Sequence, residues 1–243
     1  MINLIKKLFA DKKDKIKDER WLKKKFKKLE PWSSKFIING KEYGGTTEYP
    51  SDVRIDYFWQ KFDGAKTILE LGALEGGHTV RLCQNPKVEK IIAIESRTES
   101  IKRARFIKNL LSLAKVEFIK GNLETFDLPS LGRFDAVFCS GLLYHLPKPW
   151  ELMAKLSQIT NNIFIDTHYA SKEHTTVEKN GLIGYLYPET PSHVWSGMSS
   201  YSFWPTFESL QKMISQSGFE KMEVMYNNYD HLNGPRTFIA ARK

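Results

Sequence analysis

Residues 66–79, KTILELGALEGGHT, constrain what this chain can fold into more than any other stretch. Thr67 to Leu71 form a short β-prone run. Glycines follow at Gly72, Gly76 and Gly77, and Thr79, Val80, Arg81 and Leu82 then suit a helix. Strand, glycine turn and helix in that order present a backbone-lined pocket to a nucleotide-like ligand in an open α/β sheet. Glycine reaches positive φ without strain and has no Cβ to hold a ligand away. Glu70 stands at the end of the strand, where a carboxylate calls for a polar partner at the strand's C-terminal edge. On the glycines alone, an ordinary strand-to-helix turn is an equal reading.

The remainder of the chain alternates in the same sense. Strand-like runs at 91–95, 116–119, 134–139 and 163–166 are interleaved with helical periodicity. Ile55, Phe58 and Trp59 mark an inward face at 53–62. Ile101, Ala104, Ile107 and Leu111 mark another at 98–111, with Thr98 as the expected N-cap. Pro149 opens a helix with Leu152, Leu156 and Ile159 on one side. A further helix runs from Pro205-Thr206 to Gly218. Two strands, 219–226 and 237–241, are then joined only by a loop with Asn233-Gly234-Pro235, so they must be antiparallel. The expected fold is α/β: a Rossmann-like, doubly wound seven-stranded sheet with an antiparallel last strand, plus an N-terminal helical arm. Residues 35–39 read as a short strand and 41–47 as a glycine loop. Residues 169–204 lack clear periodicity and read as a lid insertion that carries specificity. Its aromatic residues, among them Tyr185, Tyr187, Trp195 and Trp204, suit stacking on a ligand or packing of the lid onto the domain.

Charge divides the chain. Of the net +9, residues 1–30 hold +7, so the body is nearly neutral. A body that grips nucleic acid by its phosphates is itself strongly basic, which leaves any such contact to the arm. In the arm Ile2, Ile5, Leu8 and Phe9 share one face, as do Trp21, Leu22, Phe26 and Leu29, and Pro31 limits the second segment. The expected organisation is a basic helical arm at 1–31 and a ligand-binding domain at 32–243. The arm suits a surface helix for nucleic acid or an anionic membrane, or a peripheral helix docked on its own domain. No apolar run reaches membrane-spanning length, and lysines interrupt MINLIKKLF where an export signal needs an unbroken apolar run. Cys83 and Cys139 match no disulfide or metal spacing, so no metal and a reducing, cytoplasmic setting are expected.

Side chains at the predicted strand ends supply candidates. Glu95 lies 23 residues beyond Gly72, where an acid can accept hydrogen bonds from both hydroxyls of a ribose; the plainer role is a charge at a helix N-terminus. Asn122, in KGNLET, can read an adenine edge beside the Leu123 N–H, or simply close a turn. Ser140 and Gly141 end a strand where small groups line a pocket. Tyr43 and Arg54 suit either a reach over that pocket or framework contacts.

ELGALEGGHT, IIAIES, GNLE and FDAVFCSGLLYHLPKPWELM together resemble the motifs of class I S-adenosylmethionine-dependent methyltransferases, over about residues 50–243. Leu74 departs from the pattern, since many members carry a glycine there. LEGGHT, LLYHLPKPW and FWPTFESLQKMISQSGF are similar to a subgroup acting on small molecules and sugars, and more distantly to tRNA uridine carboxymethyltransferases. The resemblance implies S-adenosyl-L-methionine as donor. It places Glu70 and Gly72 at the donor's amino-acid end, Gly76 where the backbone approaches it, Glu95 at the ribose, and Asn122 with Leu123 at the adenine. The methyl then faces LLYH. Methyl transfer needs an aligned nucleophile and, for a hydroxyl, a base. His145 is the first candidate base, or else an orienting histidine bonded to a backbone carbonyl; His168 is the second. Tyr144 and Arg236 match positions that contact the extra carboxylate of the donor in the carboxymethyl-transferring relatives. Pocket wall for Tyr144 and an ion pair near the last strand for Arg236 are the alternatives. The implied function is methyl transfer to an oxygen or nitrogen of a small molecule, a sugar or another hydroxylated metabolite. An RNA-modifying transferase and a non-catalytic nucleoside- or partner-binding domain are the alternatives.

Overall fold

The computed structural model describes residues 18–49, 52–174 and 176–243. The backbone gathers into two units, Met1–Glu48 and Tyr49–Lys243. In the first, helix α1 (Glu19–Lys28) is capped by Asp18, whose carboxylate accepts the Arg20 N–H. Its buried residues are Leu22 and Phe26, and Phe26 packs on the rings of Trp32 and Tyr43 at 4.7 and 5.1 Å. The face formed by Ile2, Ile5, Leu8 and Phe9 lies outside the described residues.

Strands β1 (Ser34–Ile38), β2 (Lys41–Gly44) and β3 (Thr47–Glu48) form a small sheet in which β1 and β2 are antiparallel. A hairpin therefore replaces the loop expected at 41–47. Asn39 and Gly40 both take left-handed φ, 54° and 75°, the two-residue turn whose twist suits paired strands.

The second unit runs α2 (Val53–Phe62), β4 (Thr67–Leu71), α3 (Gly77–Cys83), β5 (Lys90–Glu95), α4 (Thr98–Leu110) and β6 (Val116–Lys120). It continues with β7 (Ala136–Ser140), α5 (Pro149–Ile159), β8 (Asn162–His168) and the short strands β9 (Val177–Lys179), β10 (Leu182–Pro188) and β11 (Tyr201–Pro205). It ends with α6 (Phe207–Gln216), β12 (Lys221–Asn228) and β13 (Arg236–Arg242). Seven strands form one sheet in the order β12-β13-β8-β7-β4-β5-β6, and β13 runs antiparallel to both its neighbours. This is the Rossmann-like architecture expected, with its reversed last strand.

The chain leaves β4 toward β5 and β6, then returns to the other side of β4 through β7 and β8. The order thus reverses between β4 and β7, and such a reversal opens a crevice at the carboxyl ends of the strands. Side chains of β7 alternate between two apolar layers. Ala136 and Phe138 pack with Phe58 of α2 and Ala104 of α4; Val137 and Cys139 pack with Leu156 of α5 and Met213 of α6. Phe138 stacks on Phe164 at 5.5 Å, with Phe58 edge-on at 5.4 Å. The rim residues are therefore mounted on strands buried on both faces.

Two local expectations change. Thr98 is the first helical residue of α4, and Arg97 takes the cap position before it, its guanidinium turned to other work described below. Residues 169–204 contain the antiparallel sheet β11-β10-β9, with β10 tied to α6 by the Ile183 N–H donated to Ser209.

Candidate functional site

The glycine turn forms as its residues require. Gly72 (φ 72°) and Ala73 donate their N–H groups to the Ile94 carbonyl, folding the loop across the end of β5. Gly76 (φ 85°) is the N-cap of α3, and a Cβ there would lie 2.9 Å from the Phe118 ring. Its glycine is thus explained by φ and by packing. A Cβ on Gly77 would collide with the Tyr49 ring. Leu74, where the family pattern has glycine, sits at φ 49°, and its N–H donates to Glu95 Oε2 at 2.9 Å.

Both acids of this half are buried. Glu70 Oε2 accepts the Thr79 hydroxyl at 2.6 Å, and burial pushes its carboxyl up to about 8, with the Glu95 charge adding to the rise. Burial also raises Glu95, against the Arg97 and Leu74 N–H groups that hydrogen-bond its carboxylate. Glu95 Oε2 keeps a lone pair beside the Leu74 N–H, while Oε1 accepts both the Arg97 N–H and, at 3.4 Å, the Ser96 hydroxyl, so Oε2, and Oε1 once that long bond is given up, fit a ribose diol. Asn122 Oδ1 accepts the Glu124 N–H at 3.1 Å, the turn-closing role, which leaves its NH2 for a base edge. Leu123 is buried beside it.

Across the crevice the ends of β7, β8 and β13 carry an ionic network. Register places Ser140 beside Asp166 and Arg236 beside His168, because antiparallel β13 begins at the rim where β8 ends. Asp166 is fully buried. It accepts Arg236 Nε at 2.7 Å and Nη2 at 2.8 Å, Arg54 Nη1 at 3.0 Å and the Ser140 hydroxyl at 2.8 Å. Arg54 also pairs with Asp52, which takes His78 Nε2 at 2.8 Å. Burial opposes ionisation of Asp52 and Asp166, yet the hydrogen bonds from His78 and Arg54 hold Asp52, and the Arg236 and Arg54 guanidinium groups hold Asp166, below the usual carboxylate range. Arg236 thus forms the ion pair near the last strand. The Tyr144 hydroxyl and Arg54 Nη1 each lie 3.9 Å from the place a Cβ would take on Gly141. Burial, then the Asp166 charge, pushes the Tyr144 phenol up to about 12.

His145 ends the 3₁₀ turn after β7. Its Nδ1 is 2.9 Å from Glu189 Oε1, a carboxylate of the insertion where the sequence suggests at most a backbone carbonyl. Burial opposes the Glu189 charge, but bonds from His145, Ser196 and the Gly197 N–H outweigh it and hold the carboxyl at about 2. His168 differs. Its Nδ1 meets the carbonyls of Gly234 and Pro235 at 3.0 and 3.1 Å, and burial and the Arg236 charge push it down to about 4. It is neutral near pH 7 and a weak base. Trp204 lies between His168 and Tyr187, with ring centroids at 5.3 and 4.6 Å and near-parallel planes. Trp204 therefore packs the insertion onto the domain.

The structure brings Glu70, Gly72, Glu95 and Asn122 to one side of the crevice, and Ser140, Tyr144, His145, His168 and Arg236 to the other. Tyr43 is buried in the N-terminal unit. Sequence reasoning misses Asp52, His78, Arg97 and Glu189. Asp52 was accessible to it, as an acid just before a helix and two residues from Arg54. Among the described residues no group of three or more His, Cys, Asp or Glu is placed to hold a metal, and no helix is long and apolar enough to cross a membrane.

A family model described as a methyltransferase domain matches residues 62–226. The N-terminal domain of EvdMO1, crystallised with SAH bound, is 31% identical over 93% of this chain and 97% of that one, with a TM-score of 0.84. The same domain in the presence of SAH and D-fucose gives the same values. Among curated proteins, the tRNA U34 carboxymethyltransferase of Campylobacter jejuni subsp. doylei is 26% identical over 82% of this chain and 65% of its own length. That of Campylobacter lari is 28% identical over 81% and 64%. The chain thus spans a little under two thirds of these curated relatives.

Proposed function

The chain belongs to the methyltransferase domain family, and on that premise we propose that it transfers a methyl group from S-adenosylmethionine to a hydroxyl of a small molecule. The His145–Glu189 pair carries the reading: an imidazole held by an ionised carboxylate at the end of β7, across the crevice from the glycine turn.

Glu95 holds the ribose of the donor through the lone pair that Leu74 leaves free on Oε2 and through Oε1, where the ribose hydroxyl displaces the long bond from Ser96. Glu70 faces its amino-acid end, and the Asn122 NH2 with the Leu123 N–H its adenine. The donor supplies a methyl already activated on a sulfonium, so the protein's task is alignment and proton removal. With the Nδ1 proton donated to Glu189, Nε2 of His145 is the nitrogen left to take a proton from the acceptor hydroxyl. His168, at about 4, is the poorer base. A sugar or similarly hydroxylated acceptor is supported by the EvdMO1 domain studied with D-fucose, which aligns with nearly the whole chain. The 169–204 insertion covers the acceptor side. Unpaired Cys83 and Cys139 suit a cytoplasmic setting.

A tRNA-directed methyl or carboxymethyl transfer is the second reading, favoured by the curated relatives and by the exposed Arg20, Lys23, Lys24, Lys27 and Lys28 of α1. It expects tRNA binding that falls steeply with salt and is lost without residues 1–30. Isothermal titration with S-adenosylmethionine tests the donor, and absence of heat at millimolar ligand would end the proposal. Mass spectrometry of a cell extract incubated with methyl-labelled donor then identifies the acceptor; label in tRNA alone would replace the first reading by the second.

A further inference from the structure

The segment around Glu189 is fastened at three places, each beside a loop that follows a strand of the main sheet. Glu189, with its side chain 2% exposed, accepts His145 Nδ1 at 2.9 Å, the Gly197 N–H at 2.8 Å, the Ser202 hydroxyl at 2.8 Å and the Ser196 hydroxyl. Arg97 donates to the carbonyls of Pro191 and Ser196 at 2.8 and 2.7 Å, while its own N–H donates to Glu95. The Ser199 hydroxyl donates to Glu124 at 2.8 Å, and the Glu124 N–H to Asn122. Gly197 closes the arrangement, since a Cβ there would collide with the His145 carbonyl oxygen. One short segment therefore links the acid assigned to the ribose, the amide assigned to the adenine and the imidazole assigned to the acceptor.

We propose that Glu189 is the positioning residue for His145, and that residues 189–202 couple donor occupancy to the orientation of that base. The inference rests on the donor reading above. Ser196, Gly197 and Ser202 belong to the segment and hold the Glu189 carboxylate in one arrangement within it, so lifting the segment breaks the bond to His145 together with those to Arg97 and Glu124. When the segment lifts, Nδ1 loses the acceptor that fixes the tautomer and the ring plane. A donor molecule held by Glu95 and Asn122 steadies the two loops to which Arg97 and Glu124 belong, and so favours the docked segment. By reciprocity, undocking the segment weakens donor binding. The acceptor's proton is thus removed only once the donor is in place.

The test uses the full chain labelled with ¹⁵N-histidine, with and without SAH, the His145 signals being assigned by their loss in His145→Ala. With SAH, the wild type is expected to show one tautomer, protonated at Nδ1, and slowed amide exchange across 189–202. Glu189→Ala should mix the tautomers, and Glu189→Gln, which keeps one carbonyl acceptor, should mix them less. Gly197→Ala alters no charge, yet should mix them too, abolish the SAH-induced protection and weaken SAH about tenfold. Should Glu189→Ala not fold, Glu189→Gln and Gly197→Ala carry the test. A wild-type tautomer signature in the Glu189 variants, or wild-type SAH affinity and protection in Gly197→Ala, overturns the proposal alone. A wild-type chain that takes no SAH overturns the donor reading and this proposal with it.

Discussion

The two halves of the crevice bury the same kind of group and leave it in opposite states. At the ends of β4 and β5, Glu70 and Glu95 accept from hydroxyls and backbone N–H groups, and burial raises both. At the ends of β7, β8 and β13, Asp166 is equally buried, yet two guanidinium groups hold it ionised; His145 and its neighbours do the same for Glu189. Burial is common to both halves, so the partner decides. The first pair has capacity left for a ligand's cation and hydroxyls. The second set is already satisfied and serves as framework for what stands beside it.

The largest effect should come from breaking that framework. Asp166→Ala leaves Arg54 and Arg236 facing each other without their carboxylate, and urea unfolding should show a loss of about 3–5 kcal/mol. A loss below about 1 kcal/mol would place Asp166 with Glu70 and Glu95 instead. Next, once the acceptor is known, His145→Ala should lower turnover by about 10²–10⁴-fold, measured as kcat, because the loss falls on proton removal. An unchanged kcat removes His145 as base. Glu95→Ala should weaken SAH by about 30–100-fold in calorimetry, the loss of a charged acceptor for two hydroxyls; wild-type affinity would refute the ribose assignment.

The smallest effect is one of pH. The folded Glu70 carboxyl keeps its proton up to about 8, whereas in the unfolded chain it ionises near the ordinary carboxylate value of 4.5. The folded state thus binds the extra proton between those values, and the contribution of Glu70 to stability falls as pH rises through that window, by roughly 1 kcal/mol from pH 6 to pH 7, against the opposite contribution of His168, which the fold keeps neutral. Glu70→Gln should remove this slope from the ligand-free protein. A slope that survives the substitution assigns it to another group.

The glycine-turn half is legible in the sequence because it is local. Gly72, Gly76 and Glu95 lie on consecutive elements, and their spacing alone sets their geometry. The framework half is assembled from distant segments: Asp52 and Arg54 before β4, Ser140 on β7, Asp166 on β8 and Arg236 on β13. Only strand register brings them together, so no window of sequence contains the network. Glu189 is hidden for another reason. It directly follows β10, in which Gly184 and Pro188 interrupt the alternation that would mark regular structure. The Asn39-Gly40 hairpin is a different case, since its signal was local and simply competed with the glycines that follow.

Leu74 carries a consequence for how these residues can be exchanged. A leucine held at φ 49° adopts a conformation that costs L-residues about 1–2 kcal/mol, and the bond from its N–H to Glu95 helps to hold it there, with the Gly76 N–H donated across it to the Ala73 carbonyl. With glycine at 74 the loop would hold its shape unaided. The effect of changing Glu95 therefore depends on what stands at 74: Leu74→Gly should matter little while the acid is present and restore part of the lost binding once it is gone. The order of the two changes is not interchangeable, and a path that removes the acid first crosses a deeper trough than one that frees the loop beforehand.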